Sequence, residues 1–254
     1  MIEVTRDARG VATVTLARPE VHNALDAATM DALAAFAAAP DARAVVLRGA
    51  GGSFCAGGDL NWMRAQFDAP PAARRREAAR LAGMLGAFDA MEAPLIGRIH
   101  GAAFGGGVGL ASVCDVAICA DDARFGLTET RLGLIPATIG PYVAARLGPA
   151  TRRVFMSSRR FGAAEAVALG LVARSVPSAG LDAAVEAEVA PYLACAPGAV
   201  RDAKRLARSL TGPPSAQVVE AGIEALMARW DDPEAREGVG AFFDKRAPDW
   251  AADG

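Results

Sequence analysis

Residues 101–115 read GAAFGGGVGLASVCD, a glycine cluster that follows the apolar run LIGRIH and opens into an apolar segment of helical character. Glycine is a poor helix former and packs no side chain. Gly105, Gly106 and Gly107 in succession therefore need a reason. Bare backbone lets a ligand atom approach the main chain closely, and the first N–H groups of a helix have no partner inside it. The cluster reads as the floor of a site at a helix start. The plainer reading gives these glycines only a tight turn and close helix packing to serve.

The same plan occurs upstream. AVVLRG at 44–49 is a short continuous apolar run, as a strand buried on both faces would be. It runs into GAGGSFCAGGDL, where Gly57 and Gly58 precede Asp59. VATVTLARP alternates around Val11, Val14 and Leu16, which predicts a half-buried strand and a turn. A helix is expected from about Asp26, its cap, to Ala38, and another over about 73–91. CDVAICAD supplies a third buried strand. Strand, glycine loop and helix laid down twice predict an α/β core of successive turns.

Beyond about residue 195 the strand signals fade, and AVRDAKRLARSL and SAQVVEAGIEALMARW show helical periodicity. The expected division is a core over 1–195 and a helical region over 196–254 whose apolar faces need another surface to cover them.

Composition narrows the function classes. The chain has 254 residues, 52% of them hydrophobic, enough for one large core. Its 27 basic and 29 acidic residues leave a formal charge of −2, which gives no general attraction to phosphate polymers or acidic lipid. Nucleic acid is not the expected partner, and the run Arg74–Arg75–Arg76 reads as a solvated helix face. Cys55, Cys114, Cys119 and Cys195 form no C-x-x-C pair and read as small buried hydrophobes in a reducing compartment. There is no basic-then-apolar leader and no long uncharged apolar stretch, so a cytoplasmic location without membrane insertion is expected.

Two N–H groups converging on one oxygen would form an oxyanion hole, whose donors act on charge that develops during a reaction. Competing glycine motifs fail on inspection. Counting G-x-G-x-x-G from Gly105 ends on Leu110, and neither a G-x-x-x-x-G-K-[ST] loop nor a G-x-S-x-G elbow occurs.

Five stretches, taken together and in order, carry a resemblance: RPEVHNAL at 18–25, GSFCAGGDL at 52–60, the long segment from Ile99 to Pro136, AAEAVALGLV at 163–172 and FFDKRAPDW at 242–250. The chain resembles the enoyl-CoA hydratase/isomerase (crotonase) superfamily over nearly its whole length. Within it, GGDLNWMR and TETRLGLIPATIGPYV look most like bacterial methylglutaconyl-CoA hydratases of leucine breakdown.

The resemblance implies a crotonase-like spiral of ββα units followed by a C-terminal helical oligomerisation region, assembled as a trimer or hexamer. It implies an acyl-CoA substrate, with coenzyme A as part of the thioester, no tightly bound cofactor and no metal. By motif position the thioester carbonyl would be held by the backbone N–H groups of Gly58 and Gly106, and Glu129 would be the acid–base group. Val21, Ala24, Ala56, Gly57, Asp59 and Leu60 would line the coenzyme A site. Lys245 and Arg246 would reach its phosphates from a neighbouring subunit.

One departure matters. The family's hydratases place a first glutamate three residues after the second oxyanion glycine, and here that position is Gly109. A single-glutamate site can hydrate a 2,3 double bond, with Glu129 both activating water and returning a proton. It can also move a proton between C2 and C4 as an isomerase. A catalytically silent CoA-ester binding protein is the reading from another class. Among the remaining residues, His22 and His100 read as packed or hydrogen-bonded histidines, Tyr142 as a core aromatic, and Asp115 as a backbone-orienting group or arginine partner. An acyl group with its own carboxylate would need a cation that the sequence does not single out.

Overall fold

The structure is a computed structural model that describes residues 1–251. Strand β1 (Ile2–Arg6) is followed by β2 (Val11–Leu16), and helix α1 (Ala27–Ala38), which begins where Asp26 accepts a hydrogen bond from Thr29 N at 2.8 Å, separates β2 from β3 (Ala44–Gly49). Helices α2 (Leu60–Gln66) and α3 (Pro71–Ala90) precede β4 (Leu95–Ile99), β5 (Ala102–Phe104) and α4 (Gly106–Val113). Then come β6 (Val116–Ala120), β7 (Arg124–Gly126), α5 (Gly140–Leu147), β8 (Phe161–Gly162), α6 (Ala163–Ala168), β9 (Arg174–Val176) and α7 (Leu181–Leu193). Helices α8 (Pro197–Thr211), α9 (Ala216–Asp231) and α10 (Pro233–Phe243) follow.

The main sheet has the order β1-β2-β3-β4-β6-β9. It is parallel from β2 onward, with Val14 opposite Leu47, Val45 opposite Leu95, Ile96 opposite Val116 and Cys119 opposite Ser175. AVVLRG reads as a continuous apolar run because both faces of β3 are covered. Val45 and Leu47 pack with Leu33 of α1 and Leu85 and Phe88 of α3, whereas Ala44 and Val46 pack with Leu181, Val185 and Val189 of α7. Strand β1 joins antiparallel at the edge, its sequence IEVTR polar and mostly exposed, and it carries no periodic signal.

A second, small sheet of β5, β7 and β8 positions the glycine cluster. Ala103 pairs with Phe125 in parallel, so the chain leaves β5 at Phe104 and enters α4 two residues later.

Two of the C-terminal helices fold back over the core. Ile223, Leu226 and Trp230 of α9 and Ala235 and Val239 of α10 pack with Ala78 and Ala82 of α3. Here the arginine run departs from a solvated face. Arg74 is buried and ion-paired with Asp231, and Arg75 pairs with Glu220 and Glu224, so two of the three arginines hold α9 on α3. Helix α8 stands apart, with no buried residue. Ion pairs of Lys204 with Asp115 (2.6 Å), Arg208 with Asp89 (2.5 Å) and Arg205 with Glu92 (3.3 Å) hold it to the body. Asp115 thus has a lysine partner rather than an arginine, and it also accepts from Leu95 N at 2.7 Å. Cys55, Cys114 and Cys119 are buried as read, but Cys195 is exposed between α7 and α8. Among the described residues no helix is long and apolar enough to cross a membrane.

Candidate active site

The two glycine loops meet. Phe104 N donates to Cys55 O at 2.9 Å and Cys55 N to Ala102 O at 3.0 Å, so the first loop is zipped onto β5. Gly57 has φ +97°, and a Cβ there would lie 2.9 Å from the Phe104 carbonyl oxygen and 3.4 Å from the Gly106 nitrogen. A Cβ on Gly107 would lie 2.4 Å from Cys55 O. Close backbone packing thus accounts for part of the glycine content. On its other side the first loop is held by Leu25, whose N–H donates to Gly57 O at 2.8 Å and whose carbonyl accepts from Asp59 N at 2.9 Å. Between those two bonds the Gly58 N–H is left without an acceptor among the described residues. So is the N–H of Gly106, the first residue of α4.

Gly58 and Gly106 both line a cavity of about 470 Å³. Its walls are mostly apolar and include Trp62, Leu81, Leu134, Ile139, Leu226 and Trp230. Glu129 is its one carboxylate. It opens a 3-10 turn, Glu129–Leu132, that ends at Gly133 with φ +68°. A Cβ on Gly105 would stand 3.0 Å from Glu129 Oε1, so glycine there leaves the carboxyl room against the second loop. Oε2 is buried with no hydrogen-bond partner. Burial pushes the Glu129 carboxyl up to about 7, opposed only by a hydrogen bond to its own backbone.

Gly109 is enclosed by aliphatic side chains, one of them the cavity-lining Ile139. A Cβ there would lie 3.0 Å from Ile139 Cγ2 and 3.2 Å from Leu85 Cδ1, so aliphatic groups occupy the space a longer side chain would take. Ile139 and Leu85 thus leave little room for a side chain at position 109.

Of the residues singled out for coenzyme A, Ala56, Gly57 and Leu60 line this cavity. Val21 lies in an exposed turn over Pro19–Val21, and buried Ala24 offers its carbonyl to Arg18 Nη1 at 2.7 Å. Asp59 caps α2, accepting from Asn61 N at 2.9 Å and pairing with Arg18 at 3.1 Å. Lys245 and Arg246 follow α10 on the exposed surface, where Arg246 is ion-paired with Glu237 at 2.5 Å. His22 lines the cavity, with Nδ1 3.2 Å from Ser53 Oγ, and His100 Nε2 is 2.8 Å from Gly51 O. Tyr142 is a buried aromatic whose hydroxyl donates to Ala82 O at 3.1 Å. Arg131 and Ile139, both within TETRLGLIPATIGPYV, also line the cavity, as do Arg160 and Trp230, which were not singled out from the sequence because segments distant along the chain bring them there.

A larger groove of about 730 Å³ lies under α8, but Asp89, Asp115, Lys204 and Arg208 along it are spent on one another. Among the described residues no cluster of three His, Cys, Asp or Glu side chains could hold a metal ion.

Comparison with known proteins agrees with this architecture. The sequence pattern of the family described as "Enoyl-CoA hydratase/isomerase" matches residues 6–253. A Rhodobacter capsulatus protein named "Probable enoyl-CoA hydratase" is 36% identical over 246 residues, covering 94% of this chain and 93% of that protein. The "Carnitinyl-CoA dehydratase" of Proteus mirabilis is 34% identical over 251 residues, covering 94% of each. The crystal structure of an enoyl-CoA hydratase from Mycobacterium avium superposes with a TM-score of 0.85 at 30% identity, covering 98% of both chains. With its parallel sheet, paired glycine loops and C-terminal helices, the chain belongs to the enoyl-CoA hydratase/isomerase family and has the crotonase-type fold of those enzymes.

Proposed function

We propose that the 470 Å³ cavity binds a 2-enoyl-CoA thioester and adds water across its 2,3 double bond, with Glu129 as the sole acid–base group. The thioester oxygen would accept from Gly58 N–H and Gly106 N–H, which polarises the carbonyl and makes C3 electrophilic. The Glu129 carboxylate removes a proton from water as the oxygen bonds to C3. The π electrons move to an enolate held by the two amides, and the protonated Glu129 returns that proton to C2. One carboxyl serving both carbons delivers oxygen and hydrogen to the same face.

The observation that carries this reading is the Glu129 carboxyl, buried without a partner at Oε2 and set against the second glycine loop. A value near 7 lets one group act as base and then as acid at neutral pH. Glu129→Gln is expected to abolish turnover while CoA-ester binding persists, since the amide keeps the shape but transfers no proton. Turnover at the wild-type level would remove Glu129 from the mechanism.

The finer substrate we propose is methylglutaconyl-CoA, supported by GGDLNWMR and TETRLGLIPATIGPYV. The aliphatic filling at Gly109 favours a second reading, double-bond isomerisation by Glu129 between C2 and C4. Product analysis with methylglutaconyl-CoA and crotonyl-CoA side by side separates the two. A hydroxyacyl product supports hydration, a migrated double bond supports isomerisation, and binding without either product supports a silent CoA-ester binding protein.

The same reading puts coenzyme A along the 18–25 and 56–60 loops, with Lys245 and Arg246 of a neighbouring subunit near its phosphates. It treats 196–254 as an oligomerisation region appended to a 1–195 core, in a cytoplasmic trimer or hexamer. The exposed Leu206 and Leu210 of α8 support that assembly.

A further inference from the structure

Two guanidinium groups line the cavity without an acid to neutralise them. Arg131 lies in the same 3-10 turn as Glu129, and Arg160 lies just before β8, its guanidinium carbon 5.0 Å from the centre of the Phe104 ring. Neither makes an ion pair with any described residue, although most arginines of this chain do. The neighbouring Arg159, by contrast, is spent on Glu165 at 2.6 Å.

The segments bearing the two arginines are tied together. Ser158 Oγ accepts from Arg131 N at 3.0 Å and is 2.6 Å from Thr130 Oγ1, and Ser158 itself holds the left-handed conformation at φ +50°. Those bonds fix the backbone of both segments at one side of the cavity, where Arg131 and Arg160 are exposed at its rim and Arg160 lies over an aromatic face. Nor are they spent on Glu129, whose carboxyl is perturbed by burial and its own backbone alone. The remaining lining is apolar apart from His22, small hydroxyl groups and the glycine backbone.

We infer that Arg131 and Arg160 form an anion-recognising end of the acyl site and select 2-enoyl thioesters that carry a carboxylate at the far end of the acyl chain. This rests on the assignment of the cavity to an enoyl thioester and adds the residues that choose among such esters. Guanidinium presents paired donors to a carboxylate and keeps its charge at any working pH, which suits discrimination between charged and neutral acyl ends. The same chemistry would also suit the phosphates of coenzyme A, and the test separates the two sources.

The test compares two five-carbon esters, glutaconyl-CoA with a terminal carboxylate and 2-pentenoyl-CoA without one. The wild type is expected to favour the charged ester in kcat/KM. Arg131→Gln and Arg160→Gln should each lower the ratio between the esters by about tenfold, with Arg160→Lys retaining part of it. Equal losses on both esters would assign the guanidinium groups to the common coenzyme A moiety and overturn the inference, as would an unchanged ratio. Calorimetric binding of glutaryl-CoA against pentanoyl-CoA to the wild type and both glutamine variants reads the same preference without turnover. A preference lost in the variants while no ester is hydrated would leave this inference standing and sink hydration alone.

Discussion

Burying the carboxyl of Glu129 with no partner at Oε2 costs the fold free energy whenever the group is ionised. Its value in the folded chain, about 7, lies above the usual 4.5, so the native state holds a proton that the unfolded chain has already released. The contribution to stability is therefore fully present below pH 4.5 and is lost as pH rises through 7. At about 1.4 kcal/mol per pH unit the loss amounts to about 3 kcal/mol. Glu129→Gln should accordingly be more stable than the wild type by about 3 kcal/mol at pH 8 and by clearly less at pH 5, as read from urea unfolding at both pH values. An equal difference at the two values would mean that the carboxyl is not held as described. A second residue-scale expectation concerns the loop contact. Gly57→Ala puts a Cβ at positive φ and 2.9 Å from Phe104 O, and it should cost about 1–3 kcal/mol in thermal unfolding while separating the two loops.

At the scale of elements, α9 stays over the cavity because α3 holds it by both apolar packing and charge. Arg74 is 8% exposed and its partner Asp231 lies at the end of α9. Asp231 is largely solvated, so the pair is worth less than one buried on both sides. Arg74→Ala should cost about 1–2 kcal/mol and speed proteolysis within 216–243, with the core over β2–β4 still protected. Unaltered proteolysis would show that the apolar contacts of Ile223, Leu226 and Trp230 suffice alone. The same pairs explain why the arginine run offers little to RNA: Arg74 and Arg75 are already neutralised within the chain. From the sequence, three arginines on a helix look solvated, because the acid partners of Arg74 and Arg75 lie 145–157 residues away and no local pattern announces them.

On the scale of the whole molecule, α8 is the element least satisfied by its own chain. It buries no residue, leaves Leu206 and Leu210 at 60% and 77% exposure, and is tethered mainly by ion pairs above a wide groove. Exposed leucines on a charge-tethered helix are what an interface with further copies of the chain would cover. The double substitution Leu206→Glu/Leu210→Glu should lower the mass measured by sedimentation toward that of one chain while far-UV circular dichroism stays unchanged. An unchanged mass would remove this face of α8 as the interface of the proposed assembly.

The amino-acid sequence was enough for features whose cause is local or periodic. Buried strands such as AVVLRG, the Asp26 cap, the two glycine loops and the helical C-terminal region all follow from side-chain spacing and backbone freedom, which neighbours in the chain express by themselves. The position of Glu129 as a candidate was legible too, through its place in an ordered set of motifs. Tertiary structure alone decided that Gly57 and Gly106 touch, that Ile139 and Leu85 fill the space beside Gly109, and that Arg160 shares the cavity with Glu129. Those contacts join segments separated by tens of residues, and their geometry depends on how the sheet stacks the loops rather than on anything written beside each residue. Burial raises the Glu129 carboxyl for the same reason, since the low-dielectric surroundings that act on it are assembled only when the chain closes around them.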